Sequence, residues 1–176
     1  SLKTLDWMNC IYIRKLSHEA LLEWGMHFLE AKLPASVPRP LPKDYLLQTI
    51  PLVQARVRVL SELPELVDFF LTEKLEYDSK LLLVKDMPRE RALQALEASL
   101  TRIKALPEFD AQSLEGSLRP LAEEMKLKTG DMFGVLRVAV TGRTAAPPLF
   151  QTMAVLGRER CIQRMEAARE RLLAMS

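Results

Sequence analysis

Glycine is scarce in this chain of 176 residues, at six, and aromatic side chains make up only 6%. Valine and isoleucine are too sparse and too poorly alternated for a large sheet, which needs apolar residues at every second position. The two cysteines, Cys10 and Cys161, lie far apart, and neither belongs to a C-x-x-C pair. That spacing excludes a zinc ribbon or a dithiol redox motif and fits a reduced, cytoplasmic protein. No run of about 18 apolar residues and no signal peptide is present, so a membrane role has no support. A large excess of one charge is missing too: 25 basic residues stand against 23 acidic, a net +2. A chain that coats nucleic acid without selectivity would be far more basic.

Catalytic and metal-binding patterns are absent as well. There is no G-x-x-x-x-G-K and no G-x-G-x-x-G, the loops that cradle phosphates. His18 and His27 are nine residues apart and share no helix face. Glu123-Glu124, and Glu76 with Asp78, read as ordinary charged-face residues. No nucleophile, acid–base pair or metal cluster emerges, so the expectation is no catalytic residue and no metal in this chain.

What is present favours helices. Hydrophobic residues reach 48%, and Leu, Ala, Glu and Arg dominate, all of them strong helix formers. After an apolar-aromatic strip over residues 1–14, Ser17 predicts an N-cap for a helix over 18–31. Pro34, Pro38, Pro40 and Pro42 predict an extended linker. Asp44 is expected to start a second helix, with a kink or break at Pro51. Ser61 is expected to cap a short helix through Leu71, and Asp78 to start another through Leu83. Further helices are expected over 88–105, 111–126 interrupted at Gly116 and Pro120, and 129–139, with a final pair from Pro147 split at Gly157. Ala92, Leu93, Leu96, Leu100 and Ile103 give the first of these a clear apolar stripe. The short connections suit a helical bundle or cage.

The second half gathers arginines: Arg137, Arg143, Arg158, Arg160, Arg164, Arg169 and Arg171. They read equally well as an RNA-facing cluster or as a solvated face with i,i+4 ion pairs.

Three segments carry a family resemblance. The first is Leu5-Asp6-Trp7-Met8-Asn9 with Tyr12-Ile13-Arg14. The second is Val53-Gln54-Ala55-Arg56-Val57-Arg58, leading into Leu60 and Leu63. The third runs through Leu127-Lys128-Thr129-Gly130, Leu136-Arg137-Val138-Ala139-Val140-Thr141-Gly142-Arg143, Pro147-Pro148-Leu149-Phe150 and Leu156-Gly157-Arg158-Glu159-Arg160. In order and spacing these resemble the C-terminal region of bacterial-type glutamyl-tRNA synthetases. Departures include Thr4 where relatives often carry lysine, Cys10 where many have glycine, and Ala146 where a small hydroxyl residue is common.

The resemblance implies an all-α, helical anticodon-binding cage of two small subdomains. Residues 1–16 would lead in from a catalytic part outside this chain, 17–86 would form the first subdomain and 87–176 the second. It implies a module that positions glutamate tRNA for ATP-dependent glutamylation, with ATP, magnesium and glutamate used by the other part. No cofactor is expected in this chain, which lacks H-x-G-H and whose Lys15-Leu16-Ser17-His18 lacks the second lysine of K-x-S-K. The start at Ser1-Leu2, without Met, fits a piece of a longer protein. A cytoplasmic monomer with no membrane partner is expected. Base-contacting positions correspond to Arg56, Arg137, Ala146, Pro147 and Leu149, and Trp7 to a residue near the RNA.

Arg56 is the sharpest of these. A guanidinium has donors only, so at the third anticodon base it would welcome the acceptors of cytosine and reject the donors of guanine. That separates glutamate tRNA from glutamine tRNA. The competing expectations are an Arg56 that merely pairs with a neighbour while Arg58 reads the base, a non-discriminating enzyme, and a helical protein-interaction domain without RNA binding.

Overall fold

The computed structural model describes residues 2–175, with side chains from residue 9 onward. No strand occurs among the described residues, and the all-α expectation holds. The chain falls into two compact units, Ser1–Glu73 and Lys74–Ser176.

The first unit is built on α1 (Leu2–Lys15), α2 (His18–Lys32), α3 (Lys43–Val53) and α4 (Leu63–Leu71). The opening strip is thus a helix, a state that its mixed aromatic pattern left open. Ser17 caps α2 as expected, its hydroxyl accepting from the Ala20 N–H at 3.1 Å. Leu21, Leu22 and Leu29 of α2 pack with Leu46, Ile50 and Val53 of α3 and Val67 and Phe70 of α4, all buried. Gly25 lets α2 approach closely: a Cβ there would lie 2.5 Å from Leu63 Cδ2. The proline linker is anchored by Leu33, Val37 and Leu41, all buried. Arg39 secures it further, donating to the Pro34, Val37, Glu30 and Leu33 carbonyls and pairing with the Glu30 carboxylate.

Some local expectations need correction. α3 runs two residues past Pro51 before tightening into a 3-10 turn, Gln54–Arg56. Ser61 does not cap α4: it sits in a 3-10 turn, Leu60–Glu62, and the helix starts at Leu63 with Glu62 as an N-cap that makes no side-chain cap bond. Pro64 in the first turn costs no hydrogen bond, because that N–H has no intrahelical acceptor. Its preset φ takes over what a capping side chain would do.

The second unit holds α5 (Arg89–Ala105), α6 (Ala111–Glu124), α7 (Thr129–Thr141), α8 (Leu149–Leu156) and α9 (Arg158–Ala174). Asp78 does cap an element, but a 3-10 turn, Ser79–Leu82, not an α-helix. α6 is uninterrupted, contrary to expectation. Pro120 removes a bond to the carbonyl of residue 116, which is glycine and can tilt away without a side chain to obstruct it. The burial of Leu114, Leu118, Leu121 and Ala122 along one stripe then holds the helix together. α5 and α9 pack by their buried stripes, Ala92–Leu96–Ser99–Ile103 and Cys161–Met165–Ala168–Leu172, and run antiparallel, with Arg89 at the start of α5 on the Met175 carbonyl and Arg158 at the start of α9 on the Ile103 carbonyl. Burial pushes the Cys161 thiol up to about 12, so it remains a protonated core residue.

α7 is buried on nearly every side, through Met132, Phe133, Val135, Leu136, Val138, Ala139 and Val140. It ends at Gly142, whose φ of +75° is left-handed, a conformation open to glycine without steric penalty. A Cβ at Gly142 would also lie 3.3 Å from the Tyr77 ring. A Gly142→Ala variant is therefore expected to lose about 1–3 kcal/mol of stability, read from the urea midpoint. A midpoint equal to wild type would show that the turn relaxes freely.

Candidate nucleic-acid interface

The first unit presents Arg56 at the end of the 3-10 turn Gln54–Arg56. Val53 and Val57, on either side of that turn, are fully buried and fix its ends. Arg56 itself is exposed and has no hydrogen-bond or ion-pair partner among the described residues. Arg58 is the engaged neighbour: its guanidinium pairs with the Glu62 carboxylate at 3.3 Å. The side chain of Trp7, the other first-unit candidate, lies outside the described side chains; its backbone belongs to α1.

In the second unit the arginine cluster separates into two kinds. Arg158 donates to the Ile103 carbonyl at 2.7 Å and stacks on Phe109. Arg164 is buried and donates to the Val140 carbonyl at 2.7 Å. Arg171 holds the Leu75 and Tyr77 carbonyls and lies over the Tyr77 ring. Arg169 pairs with Glu166 and Glu170, and Arg143 and Arg160 are engaged as well. Arg158, Arg164 and Arg171 thus tie α9 to carbonyls elsewhere in the unit, and Arg169 pairs within its own helix.

Arg137 differs. It is half-buried, on the narrow strip of α7 with Asp131 and Gly134 that reaches the surface. Among the described residues its guanidinium has no partner. Burial holds its pKa below the ordinary value, although a guanidinium still carries its charge at neutral pH. A cation that is partly desolvated and unpaired is costly to the fold, which makes it a candidate for an external acceptor.

The backbone around Arg137 is rigid. The Thr141 hydroxyl donates to the Arg137 carbonyl at 2.7 Å and accepts from the Arg143 N–H at 3.1 Å. The Gly142 N–H closes on the Val138 carbonyl at 2.7 Å. Arg164 closes a further carbonyl of the last turn of α7, that of Val140. The corner that follows is pinned from inside: Pro147 is buried, Leu149 is 4% exposed, and the Phe150 ring meets Phe133 edge-on at 5.1 Å. The Leu149 side chain is thus a core residue. What the corner offers outward is the half-buried Ala146, the exposed Pro148 and the first N–H groups of α8, which lack intrahelical acceptors.

The predicted residues therefore fall into two sets, Trp7 and Arg56 in the first unit and Arg137, Ala146, Pro147 and Leu149 in the second. Gln54 and Arg14, which the sequence reading left aside, also touch the Arg56 turn. Both lie inside the segments that carry the resemblance, but nothing in residue type or spacing marks a side chain that acts by holding another. No group of His, Cys, Asp or Glu among the described residues could hold a metal ion, and no helix among them is long and apolar enough to cross a membrane.

Comparison with known proteins finds relatives over nearly the whole chain. The chain is similar to a glutamate–tRNA ligase of Dehalococcoides mccartyi strain CBDB1, 47% identical over 171 residues, covering 97% of this chain and 35% of that protein. A glutamate–tRNA ligase of Roseiflexus castenholzii is 46% identical over 167 residues, covering 94% of this chain and 33% of the relative. The chain thus spans about a third of the length of these relatives. Two solved structures share its fold. A glutamate tRNA ligase from Elizabethkingia meningosepticum, in complex with its amino acid, matches with a TM-score of 0.78 at 23% identity, over 94% of this chain and 31% of that one. Glutamate-tRNA synthetase from Elizabethkingia anophelis gives 0.76 at 24%, over 97% and 32%. The family model described as anticodon binding domain matches residues 18–169, and by that match the chain belongs to the anticodon-binding domain family.

Proposed function

We propose that this chain is the tRNA-reading region of a glutamate–tRNA ligase, and that it favours glutamate tRNA over glutamine tRNA. One observation carries the reading: in a chain whose arginines are mostly tied to carbonyls and carboxylates, Arg56 and Arg137 have no protein partner among the described residues. Anticodon loops are single-stranded and can present their pairing edges. Arg56 would read the third base, Arg137 would contact a base or phosphate, and the corner 146–149 would contribute main-chain groups. Trp7 would lie near the RNA. The enzyme would be cytoplasmic and monomeric.

ATP and magnesium have no fitting place here, since the sequence holds no phosphate loop and the described residues offer no metal-ligand cluster. The ligation chemistry belongs to the remainder of the longer protein. Titrating this chain with glutamate tRNA and with a variant carrying a swapped anticodon tests the reading. Binding is expected to be weak, selective for the native anticodon and reduced by salt. No retention of either RNA would instead favour a protein-interaction domain. Equal retention of glutamate and glutamine tRNAs would favour a non-discriminating enzyme.

A further inference from the structure

Arg56 can discriminate only if its backbone is held still, because a long side chain on a loose turn reaches many acceptors. Two side chains hold that turn. The Gln54 amide nitrogen lies 2.9 Å from the Ile13 carbonyl and 2.9 Å from the Leu16 carbonyl. Its two hydrogens reach the Leu16 carbonyl, just past the end of α1, and the Ile13 carbonyl, which also accepts from the Leu16 N–H at 3.2 Å. In the opposite direction, Arg14 of α1 donates to the Ala55 carbonyl at 3.4 Å. The turn is thus clasped at Gln54 and at Ala55, immediately before Arg56. Val53 and Val57 plug its flanks into the core.

We propose that Gln54, supported by Arg14, is a positioning residue for discrimination at the third anticodon base. The proposal rests on the reading of Arg56 as the base contact. Gln54 touches no RNA; it fixes the Arg56 backbone against α1, so that the ordering cost is met by the fold before the RNA arrives. Loss of such support displaces a contacting group by a fraction of an ångström or more, enough to erode selectivity.

The test compares affinities of the chain for tRNA carrying C or G at the third anticodon base. Gln54→Ala is expected to lower the C-over-G preference about tenfold, the worth of one well-placed contact. Gln54→Lys, whose ammonium can donate to the same carbonyls, is expected to keep most of the preference. Arg14→Ala, which removes only the Ala55 contact, is expected to act in the same direction and keeps the test open if Gln54→Ala does not fold. A merely structural role predicts a lower unfolding midpoint and equal weakening toward both tRNAs. An unchanged ratio in Gln54→Ala and Arg14→Ala, or a Gln54→Lys no better than Gln54→Ala, overturns the proposal. If Arg56→Gln abolishes the preference while the Gln54 variants keep it, the clasp alone fails. If Arg56→Gln leaves the preference intact, the reading of Arg56 fails and the clasp falls with it.

Discussion

An Arg56→Gln variant is expected to bind tRNAs with C and with G at the third anticodon base almost equally, whereas the wild-type chain favours C. The reason is donor and acceptor arithmetic. A guanidinium offers donors only, so guanine, which presents two donors beside one acceptor, leaves buried hydrogens facing hydrogens. A glutamine amide carries both kinds of group and can turn to suit either base. The lost selectivity should be about 1–3 kcal/mol, roughly fivefold to 150-fold in the affinity ratio. Arg56 is exposed and without a protein partner among the described residues, so the unfolding midpoint should hardly move. Arg58 provides the internal control. Its pair with Glu62 is exposed on the arginine side and worth little to stability, and Arg58→Gln should leave the C-over-G ratio intact. A reversal, with Arg58→Gln losing the ratio, would assign the reading to the neighbouring arginine.

The second large effect is expected at Arg137, where affinity and stability should part. Arg137→Met keeps the aliphatic stem and removes the charge. Affinity for glutamate tRNA should fall by about 1–3 kcal/mol if the guanidinium makes a bidentate contact. The unfolding midpoint should hold or rise, because the fold no longer desolvates an unpaired cation. Arg164→Met is the useful contrast. That guanidinium is buried and donates to the Val140 carbonyl at the end of α7, so its removal should destabilise the unit. Together the pair distinguishes an arginine kept for a ligand from one kept for the fold. A midpoint that drops in Arg137→Met with affinity unchanged would move Arg137 into the structural set.

Legibility in the sequence followed the range of the interactions involved. The α5 stripe, the Ser17 cap and the break at Gly157 rest on residues within a turn or two of each other, and the chain alone displays them. Ser61 has the residue type of a cap, but Pro64 sets the helix start by geometry, and residue type alone does not show which of the two prevails. α6 was expected to break because glycine and proline act locally against a helix, whereas its buried leucines act through neighbours that are distant in sequence. The arginines of the second half show the limit most clearly. In the sequence Arg137, Arg158, Arg164 and Arg171 are alike; in the structure only the first lacks a protein acceptor among the described residues. Gln54 was silent for the same reason, since its partners lie 38 and 41 residues away.

The sequence by itself determined that the chain is helical, which residues form the apolar stripes, that no catalytic or metal-ligand constellation is written in it, and which family its motifs resemble. Those properties depend on periodicity and on residue types at short spacing. Tertiary structure decided which charged side chains are engaged and which are not. A hydrogen bond is satisfied or vacant according to where a carbonyl from another helix comes to rest, and no local pattern encodes that position.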